Sequence, residues 1–500
     1  MFAKSLALLS GLALSAIPAA AQLISVKTVP VAQADQFAIY PSRNLAMGGV
    51  RIALEDPLLD PFANPAEGSR IAEARFFGTP FLYSVSSDAG GGRTLPVAAS
   101  AKLEPWFGAF ALALQQVDGA VRNRFGPVAE FGRLLPGGVA LPRDLNARSH
   151  GNEMAFAMLG RSFPEKRLAL GASLFWAGLR AVDGVDLLYA GSFGIKQYGN
   201  AMDLRAGLLK DWEKGRTLEI LALYNRFRMA HDVFYLDPVW DPNTQLVGWK
   251  PRMERNLDWN DIFGLHLEYR RPLSADGWKV GWIATYNRMS HPQIPNYEIM
   301  SIPKDPGYSN AFNFGIGISR EREKVSFGVD LVYEPIWSRT WADAEAPVQG
   351  ASGIVIPAGQ RTVENDFRFS NIQFRTGVTR DLGDAVAFQL GLALRSIHYW
   401  LTQYDNVNLT VRDQVEQWVE WTPTWGLEVR FPELELRYQG RVTNGTGRPG
   451  VVRRAGRGGL LETSGPGTVA GTVIVAPSGP LTLAEVKVVT HQVGIAIPIR

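Results

Sequence analysis

Residues that could carry enzymatic chemistry are few and scattered in this chain. The sequence has six histidines, none in the His-Glu-x-x-His spacing with which a helix binds zinc, and they are His150, His231, His266, His291, His398 and His491. The run Ser149-His150-Gly151-Asn152 places a hydroxyl beside an imidazole, but a catalytic triad also needs a positioned base and oxyanion donors. A loop turn is the simpler interpretation. The sequence therefore predicts no enzyme, no cofactor and no metal site.

Charged residues form a second candidate set, because they alternate with apolar residues in short segments. Successive side chains of a β-strand point to opposite faces, so such a segment has one apolar and one polar face. Seven charges are predicted for polar faces: Asp258, Glu268, Arg270, Asp330, Glu334, Glu435 and Arg437. If the apolar faces meet lipid, these residues line a lumen, since an Arg at the lipid midplane would cost about 2 to 4 kcal/mol. They would form a polar channel, a wall that grips a plug through ion pairs, or simply solvated charges.

The alternation repeats along most of the chain and predicts a transmembrane antiparallel β-barrel of 14 to 16 strands. Treating residues 179–200 as one excursion gives sixteen segments: 73–86, 94–103, 107–117, 151–163, 167–178, 201–212, 217–230, 256–271, 277–289, 309–320, 324–337, 366–380, 384–401, 417–431, 433–442 and 486–499. Tryptophans near segment ends predict interfacial girdles, and they are Trp106, Trp212, Trp278, Trp337, Trp400 and Trp418. A soluble sandwich would alternate too, with its apolar face inward.

Connection lengths between these segments also alternate. Tight turns such as 164–166 and 321–323 follow one end of the segments, whereas the long connections are 118–150, 231–255, 290–308, 338–365, 402–416 and 443–485. Outer-membrane barrels have short periplasmic turns and long extracellular loops. Both termini are therefore predicted to lie in the periplasm.

The start of the chain predicts export. Lys4 precedes an apolar run, and Ala19-Ala20-Ala21 before Gln22 has the small-residue spacing of a signal-peptidase site, so residues 1–21 are interpreted as a cleaved signal peptide. The chain has no cysteine, so disulfides cannot stabilise the exported protein. The predicted location is the cell outer membrane, with membrane lipid as a partner. No clustered basic surface of the kind that binds nucleic acid is indicated.

Residues 22–70 show little alternation and instead carry glycine pairs and Asn-Pro steps, which favour compact turns. The run from Met47 to Ala66, MGG followed by IALEDP and NPA, resembles that of the FadL-like outer-membrane barrels for hydrophobic compounds and their PorV-like relatives. In that family the run belongs to a hatch inside the barrel. The resemblance implies a hatch of residues 22–70 within a barrel of residues 71–500, with Gly48, Gly49, Asp56, Asn64, Pro65 and Ala66 as residues of the hatch and ligand passage.

The resemblance implies passive uptake of hydrophobic small molecules such as fatty acids. The alternative is a PorV-like docking barrel whose long extracellular loops bind partner proteins and whose lumen transports nothing. A lumenal pocket of apolar residues would favour transport, whereas a lumen filled by polar contacts would favour docking. Two features differ from the family: it has fourteen strands, and such barrels usually end on an aromatic residue where this chain ends on Ile499 and Arg500.

Overall fold

The computed structural model describes residues 23–119, 149–188, 194–241, 246–291, 307–344, 346–351, 353–449 and 483–499. The predicted signal peptide lies outside these residues. Apart from three short helical segments in the N-terminal part, Leu45–Met47, Asp60–Ala63 and Pro65–Arg70, and a few others in turns and loops, the described chain is almost entirely β-structure. No described helix has both the length and the apolar character needed to cross a membrane.

Nineteen strands are present in the described residues. In chain order they are β1 Arg75–Gly78, β2 Phe81–Val85, β3 Gly90–Leu103, β4 Trp106–Asp118, β5 Ser149–Phe163, β6 Leu168–Leu179, β7 Gly194–Asp211, β8 Thr217–Asp241, β9 Leu246–Pro272, β10 Trp278–His291, β11 Gly307–Arg322, β12 Val325–Asp343, β13 Val348–Gln349, β14 Val355–Ile356, β15 Arg361–Asp381, β16 Val386–Asp405, β17 Thr410–Arg430, β18 Glu435–Pro449 and β19 Leu483–Pro498.

The sheet closes on itself into an antiparallel barrel. Strand β19 pairs with both β1 and β2, and each of these pairs with β3 on its other side. The segments β1 and β2 are therefore two halves of one wall strand, interrupted at Thr79 and Pro80, where proline has no amide hydrogen to donate. Strands β13 and β14 form a separate hairpin. The wall thus has sixteen strands, which confirms the predicted barrel and its upper strand count.

Large apolar side chains cover the outside of this barrel. In β4 the outward Phe110, Leu112 and Leu114 are 49, 52 and 66% exposed, whereas the alternate alanines face inward and are buried. The same pattern follows most wall strands, so the apolar surface is far larger than a water-soluble protein carries. A closed barrel leaves no strand edge unpaired, which is a condition for crossing lipid. The protein is therefore a transmembrane β-barrel, and the soluble alternative is wrong.

Five of the six predicted girdle tryptophans lie at outward positions near strand ends: Trp106, Trp212, Trp278, Trp337 and Trp400. The prediction for Trp418 is wrong. It sits at an inward position of β17, where it packs against an apolar cluster in the lumen. Its neighbours along the strand, Val419 and Trp421, are the outward residues, so the strand's parity assigns Trp418 to the interior.

Two predicted loops are also wrong. Residues 231–255 belong mostly to β8 and β9, which pair in register as far as Asp241 and Leu246. Residues 402–416 belong mostly to β16 and β17, which pair as far as Asp405 and Thr410. These hairpin ends extend past the apolar belt, where both faces can meet water and the alternation that reveals a strand is lost. Most of the predicted loops 118–150 and 443–485 lies outside the described residues.

Candidate functional site

Residues 23–74, here called the N-terminal segment, pack against the inward face of the barrel wall. The helical turn Leu45–Met47 contacts strands β15 to β18, and Pro65–Arg70 contacts β4 to β7. An isolated bridge joins Val31 to Gly447 on β18. Contacts with opposite sides of the wall mean that the segment crosses the lumen.

Glycines at inward positions allow this close packing. The glycine row is the set of inward strand glycines whose added Cβ would lie within 3 Å of the N-terminal segment: Gly171, Gly207, Gly281, Gly315, Gly317, Gly328, Gly377, Gly391 and Gly426. Several are direct cross-strand partners, as Gly171 is of Gly207 and Gly377 is of Gly391. A Cβ at Gly377 would lie 2.5 Å from the Cα atom of Met47. Only glycine lets the two backbones approach this closely.

Asp56, one of the predicted hatch residues, organises a turn of the N-terminal segment. Its carboxylate accepts hydrogen bonds from the Ser42 hydroxyl at 2.6 Å and from the backbone amides of Arg43 and Asn44, each at 2.9 Å. It also accepts from the amides of Leu58 and Leu59 at 3.2 Å. Because Asp56 is 1% exposed, these donors replace its hydration. Asp56 thus has a structural role, because both of its carboxylate oxygens already accept hydrogen bonds from the N-terminal segment.

The predicted residues Asn64, Pro65 and Ala66 form the start of the helical turn Pro65–Arg70. The Asn64 side chain caps this turn by accepting from the Ala66 amide at 3.1 Å, and donates from Nδ2 to Glu219 Oε2 at 2.8 Å. Pro65 occupies the first helical position, where its missing amide hydrogen costs nothing. The run therefore fixes the segment to the wall strand β8.

Gly48 and Gly49 both adopt positive φ angles, 71° and 72°. The Gly48 amide donates to Thr424 Oγ1 at 2.9 Å, and an added Cβ at Gly48 would meet backbone oxygens of Leu392 and Thr376. Gly49 has open space around an added Cβ, so only its backbone angle calls for glycine. The pair turns the chain beside the wall.

All seven charges predicted for the lumen lie at inward strand positions. Glu268 and Arg270 lie in the charge cluster described next, and Asp330 accepts from the Arg51 and Ile52 amides at 2.8 and 3.2 Å. The rest contact barrel residues: Asp258 accepts from Asn260, Glu334 lies 3.7 Å from Arg395, and Glu435 contacts Arg437 and Arg75. Three of the seven thus engage the N-terminal segment or its anchoring cluster, and four do not.

A buried charge cluster anchors the lower end of the N-terminal segment, near the tight turns. Arg270 Nη2 lies 2.9 Å from Glu67 Oε1, contacts Glu219, and its Nε lies 3.3 Å from Glu268. Arg70 Nη1 lies 3.2 Å from Glu67, and its Nη2 lies 2.6 Å from Asp211. Burial, and next the nearby Glu219 carboxylate, raise the pKa of Glu67 well above its usual range, whereas Arg70 and Arg270 act to lower it. Loss of Arg270 would leave the buried Glu219 and Glu268 carboxylates without this counter-charge.

The upper end of the N-terminal segment occupies an apolar pocket on the side of the long connections. Ile24, 2% exposed, packs among residues of β11, β12, β15 and β16: Ala311, Ile336, Phe367, Phe369, Tyr399 and Leu401. The next residue, Ser25, accepts from Arg395 Nη2 through its carbonyl at 3.1 Å. An apolar pocket with one cation at its edge can hold a molecule that has a long apolar body and a negative end.

A cavity of about 330 Å³ separates the N-terminal segment from the wall. Its lining combines polar and apolar surface and includes the charged residues Lys27, Arg375, Arg395, Glu334 and Glu420. Lys27 Nζ lies 2.6 Å from Glu420 Oε1. The lumen therefore combines an apolar pocket at one level with a charged cavity beside it.

Sequence reasoning missed several residues of this site: the glycine row, Arg205, Glu219, Arg395 and the Lys27–Glu420 pair. Arg205 pairs with Asp203 at 2.6 Å and donates to the Ala63 carbonyl at 2.8 Å. The glycines could have been found from the sequence, because they occupy the same alternate positions as the other inward residues of their strands. Nothing in the local sequence identifies Ile24 as the residue that fills the pocket.

The comparisons with known proteins give matches only among solved structures. No family model and no curated protein matches this chain. The chain is similar to a FadL homologue of Pseudomonas aeruginosa, with 12% identity, a TM-score of 0.45 and coverage of 92% of this chain and 99% of that one. It is also similar to the toluene transporters TodX of Pseudomonas putida and TbuX of Ralstonia pickettii. Their identities are 10 and 12%, both TM-scores are 0.38, and each match covers 91% of this chain and 97% of the other.

These solved structures include a homologue of FadL, the family that the Met47–Ala66 run resembles. The class of protein follows from the chain's own geometry. A closed sixteen-strand barrel with an outward apolar belt and aromatic girdles is an outer-membrane β-barrel.

Proposed function

We propose that this barrel passes hydrophobic small molecules such as fatty acids across the outer membrane by passive diffusion, with residues 22–70 as its hatch. The observation that carries the proposal is the apolar pocket around Ile24. It lies on the side of the long connections, contains three aromatic rings and has Arg395 at its edge. A ligand that displaced Ile24 would find an apolar site already formed in the wall.

The remaining steps follow from the position of the pocket. Residues 23–28 must withdraw before a ligand can occupy it, because Ile24 fills it in this conformation. Movement of that part would open a route toward the charged cavity and the hatch residues Gly48 and Gly49. The deeper residues Asp56, Asn64, Pro65 and Ala66 would stay bound to the wall and keep the lower lumen narrow.

Substitution of a pocket residue tests this proposal. Phe369 is 4% exposed and inward, whereas Phe314 is 52% exposed on the lipid face. In proteoliposomes, Phe369→Ser should slow uptake of a fluorescent long-chain fatty acid by about tenfold, since replacing a buried aromatic with a polar side chain weakens apolar binding by more than 1.4 kcal/mol. Phe314→Ser should leave uptake within about twofold. Equal rates for Phe369→Ser and the unaltered protein, both correctly folded, would contradict uptake through the pocket.

A docking function is favoured by a different observation, the polar contacts that fill much of the lumen. Lys27 with Glu420, Asp35 with Arg441, and Arg270 with Glu67 all tie the N-terminal segment to the wall. Hairpins such as β8–β9 extend beyond the apolar belt and could bind partner proteins. Proteoliposomes that take up no hydrophobic probe, together with a protein that co-purifies only when the β8–β9 hairpin is intact, would favour docking over transport.

A further inference from the structure

The outward face of β8 to β10 carries arginines that face away from the lumen. Arg226 and Arg228 lie on β8 and Arg288 lies on β10, all at outward positions. Their outward neighbours on β9 are Trp259, 39% exposed, and Phe263, 61% exposed. These three arginines, here called the arginine patch, thus stand on a surface that is otherwise apolar and aromatic.

The arginine patch lies at the level of the lipid headgroups. Arg226 is nine residues beyond the start of β8 at Thr217, and Arg288 is ten beyond the start of β10 at Trp278. At about 3.3 Å per residue and a tilt near 45°, both lie about 21 to 23 Å above the tight-turn end. The apolar band of such barrels is about 25 Å tall. The patch is therefore at the upper edge of the band, in the leaflet on the side of the long connections.

Only part of this positive charge is neutralised by the protein. Asp261 accepts from the Tyr224 hydroxyl at 2.8 Å and forms an ion pair with Arg228. Arg228 also donates to the carbonyl of Asn260 at 2.8 Å and lies 5.4 Å from the centre of the Trp259 ring. The Asp261 carboxylate is thus already held by Arg228.

The other two guanidinium groups face lipid and form no direct ion pair with a described residue. Within the described residues, no acceptor lies within hydrogen-bond distance of the Arg226 guanidinium. Arg288 has only neutral contacts there, with Asn310 Oδ1 at 3.3 Å and with the Tyr308 ring at 5.0 Å. In the strand pairing, Arg226 on β8 is opposite Asp261 on β9. Arg288 on β10 is opposite Phe263, which lies two residues beyond Asp261 on β9. Two unneutralised charges therefore lie on either side of β9.

Strands β3, β4 and β6 differ at the same level. Their outward residues include Leu95, Leu114 and Trp176, which are 59, 66 and 44% exposed. Arg93 on β3 is an arginine of comparable height, and it donates to Gln116 Oε1 at 2.7 Å. The unneutralised pair is thus a local feature of β8 to β10.

We propose that the arginine patch binds the phosphate groups of an anionic lipid headgroup in the surface-facing leaflet. A guanidinium group forms paired hydrogen bonds to phosphate oxygens, and these bonds are strong where water is scarce. Arg226 and Arg288 supply the free donors, while the Arg228–Asp261 pair holds the surface between them. Trp259 and Phe263 lie beside the acyl chains of the same lipid. This contact would hold the bound lipid at one position on the circumference of the barrel.

Lipid A carrying two phosphates is a suitable probe, with the dephosphorylated lipid as its counterpart. The full barrel in mild detergent should retain the phosphorylated lipid in native mass spectrometry and show a higher Tm when it is added. The double variant Arg226→Gln with Arg288→Gln should bind it about tenfold or more weakly. Arg93→Gln is the matched control and should bind within about twofold of the unaltered protein.

Three results would overturn the proposal: equal binding of the dephosphorylated lipid, equal weakening by Arg93→Gln, or unchanged binding by the double variant. A Tm rise with inorganic phosphate alone would assign the patch to a free anion instead of a lipid. If the Gln variant does not fold, as judged by the mobility shift on heating, the Arg226→Lys with Arg288→Lys variant replaces it. Lysine keeps the charge but not the paired hydrogen bonds, so unchanged binding by that variant would also contradict the proposal.

Discussion

The two ends of the N-terminal segment are held to the barrel in different ways. Residues 56–70 are fixed by the Asp56 turn, by the Asn64 contact with Glu219 and by the Arg270 cluster. Residues 23–28 are held by one apolar pocket, by the ion pair of Lys27 with Glu420 and by the contacts of Ser25 with Arg395. Two further hydrogen bonds join them to the wall, from the Ile24 amide to Asn287 Oδ1 at 2.7 Å and from the Tyr399 hydroxyl to the Thr28 carbonyl at 3.1 Å. Hydrogen-bonded buried charges are costly to separate, whereas apolar contacts can be exchanged for those of an apolar ligand. We propose that the lower end anchors the segment, whereas the upper end exchanges its apolar contacts for those of a ligand.

The largest expected effect comes from removing the shared cation of the lower end. Arg270→Ala leaves Glu67, Glu219 and Glu268 without their common partner, and unpaired buried charge costs about 3 to 5 kcal/mol. We expect a lower Tm and faster proteolysis after Arg70. Arg271→Ala is the control, because Arg271 points outward and lies 5.7 Å from the Trp282 ring. An unchanged Tm in Arg270→Ala would mean that the lower end is not anchored by charge.

A smaller effect is expected where the segment crosses the glycine row. In Gly391→Ala the new Cβ would overlap backbone atoms of Met47 and Gly48, and overpacking of this kind costs about 1 to 3 kcal/mol. Displacement of residues 46–49 should raise the permeability of proteoliposomes to small solutes, measured by osmotic swelling. Gly383→Ala is the control, because an added Cβ there meets no atom within 4 Å. Equal swelling rates in the two variants would show that the row does not hold the segment.

The upper end should respond in activity more than in stability. Ile24→Ala removes most of the side chain that fills the apolar pocket, and the barrel wall keeps its own hydrogen bonds. We expect Tm within a few degrees of the unaltered protein and faster uptake of a hydrophobic probe. Ile354→Ala, at a 67% exposed loop position, should change neither quantity. Slower uptake by Ile24→Ala would mean that Ile24 takes part in binding and does not compete with the ligand.

The smallest expected effect is pH-dependent and concerns Asp183, in the connection between β6 and β7. Its carboxylate accepts from the Ala34 amide at 2.6 Å, and burial raises its pKa to about 7. The hydrogen bond from Ala34 acts to lower this pKa, so the raised value reflects the cost of burying the ionised carboxylate. Because the folded pKa lies above the ordinary value, the stability that depends on the neutral carboxyl is complete below about pH 4 and is lost as pH rises through 7. Amide exchange at residues 33–36 should therefore quicken, beyond its intrinsic pH dependence, between pH 5 and 8.

Asp183→Asn provides the control for this pH effect. The amide keeps an acceptor oxygen for Ala34 but does not ionise, so the excess quickening should disappear. Persistence of the same pH profile in Asp183→Asn would assign it to another group, such as the neighbouring Asp186.

The strand pattern was predictable because lipid outside and a polar lumen inside impose alternation on each wall strand. Residues 256–271 illustrate this, because Asp258, Glu268 and Arg270 were predicted for one face and all three lie at inward positions. The alternation of apolar and polar side chains is lost where both faces of a strand meet water. The β8–β9 hairpin above the apolar belt was therefore predicted as a loop, and Trp418 was placed on the wrong face because a tryptophan near a strand end is common at both surfaces.

By itself, the sequence determined a membrane barrel of 14 to 16 strands and the run of turn-forming residues at Gly48, Asp56 and Asn64. These follow from local rules, since side-chain alternation and backbone turns depend on near neighbours in the chain. Only the tertiary structure decided that Glu67 shares Arg270 with Glu219, that Ile24 fills a pocket made by β11 to β16, and that Arg226 lies near Arg288. These contacts join residues far apart in sequence, and barrel closure and strand register alone bring them together.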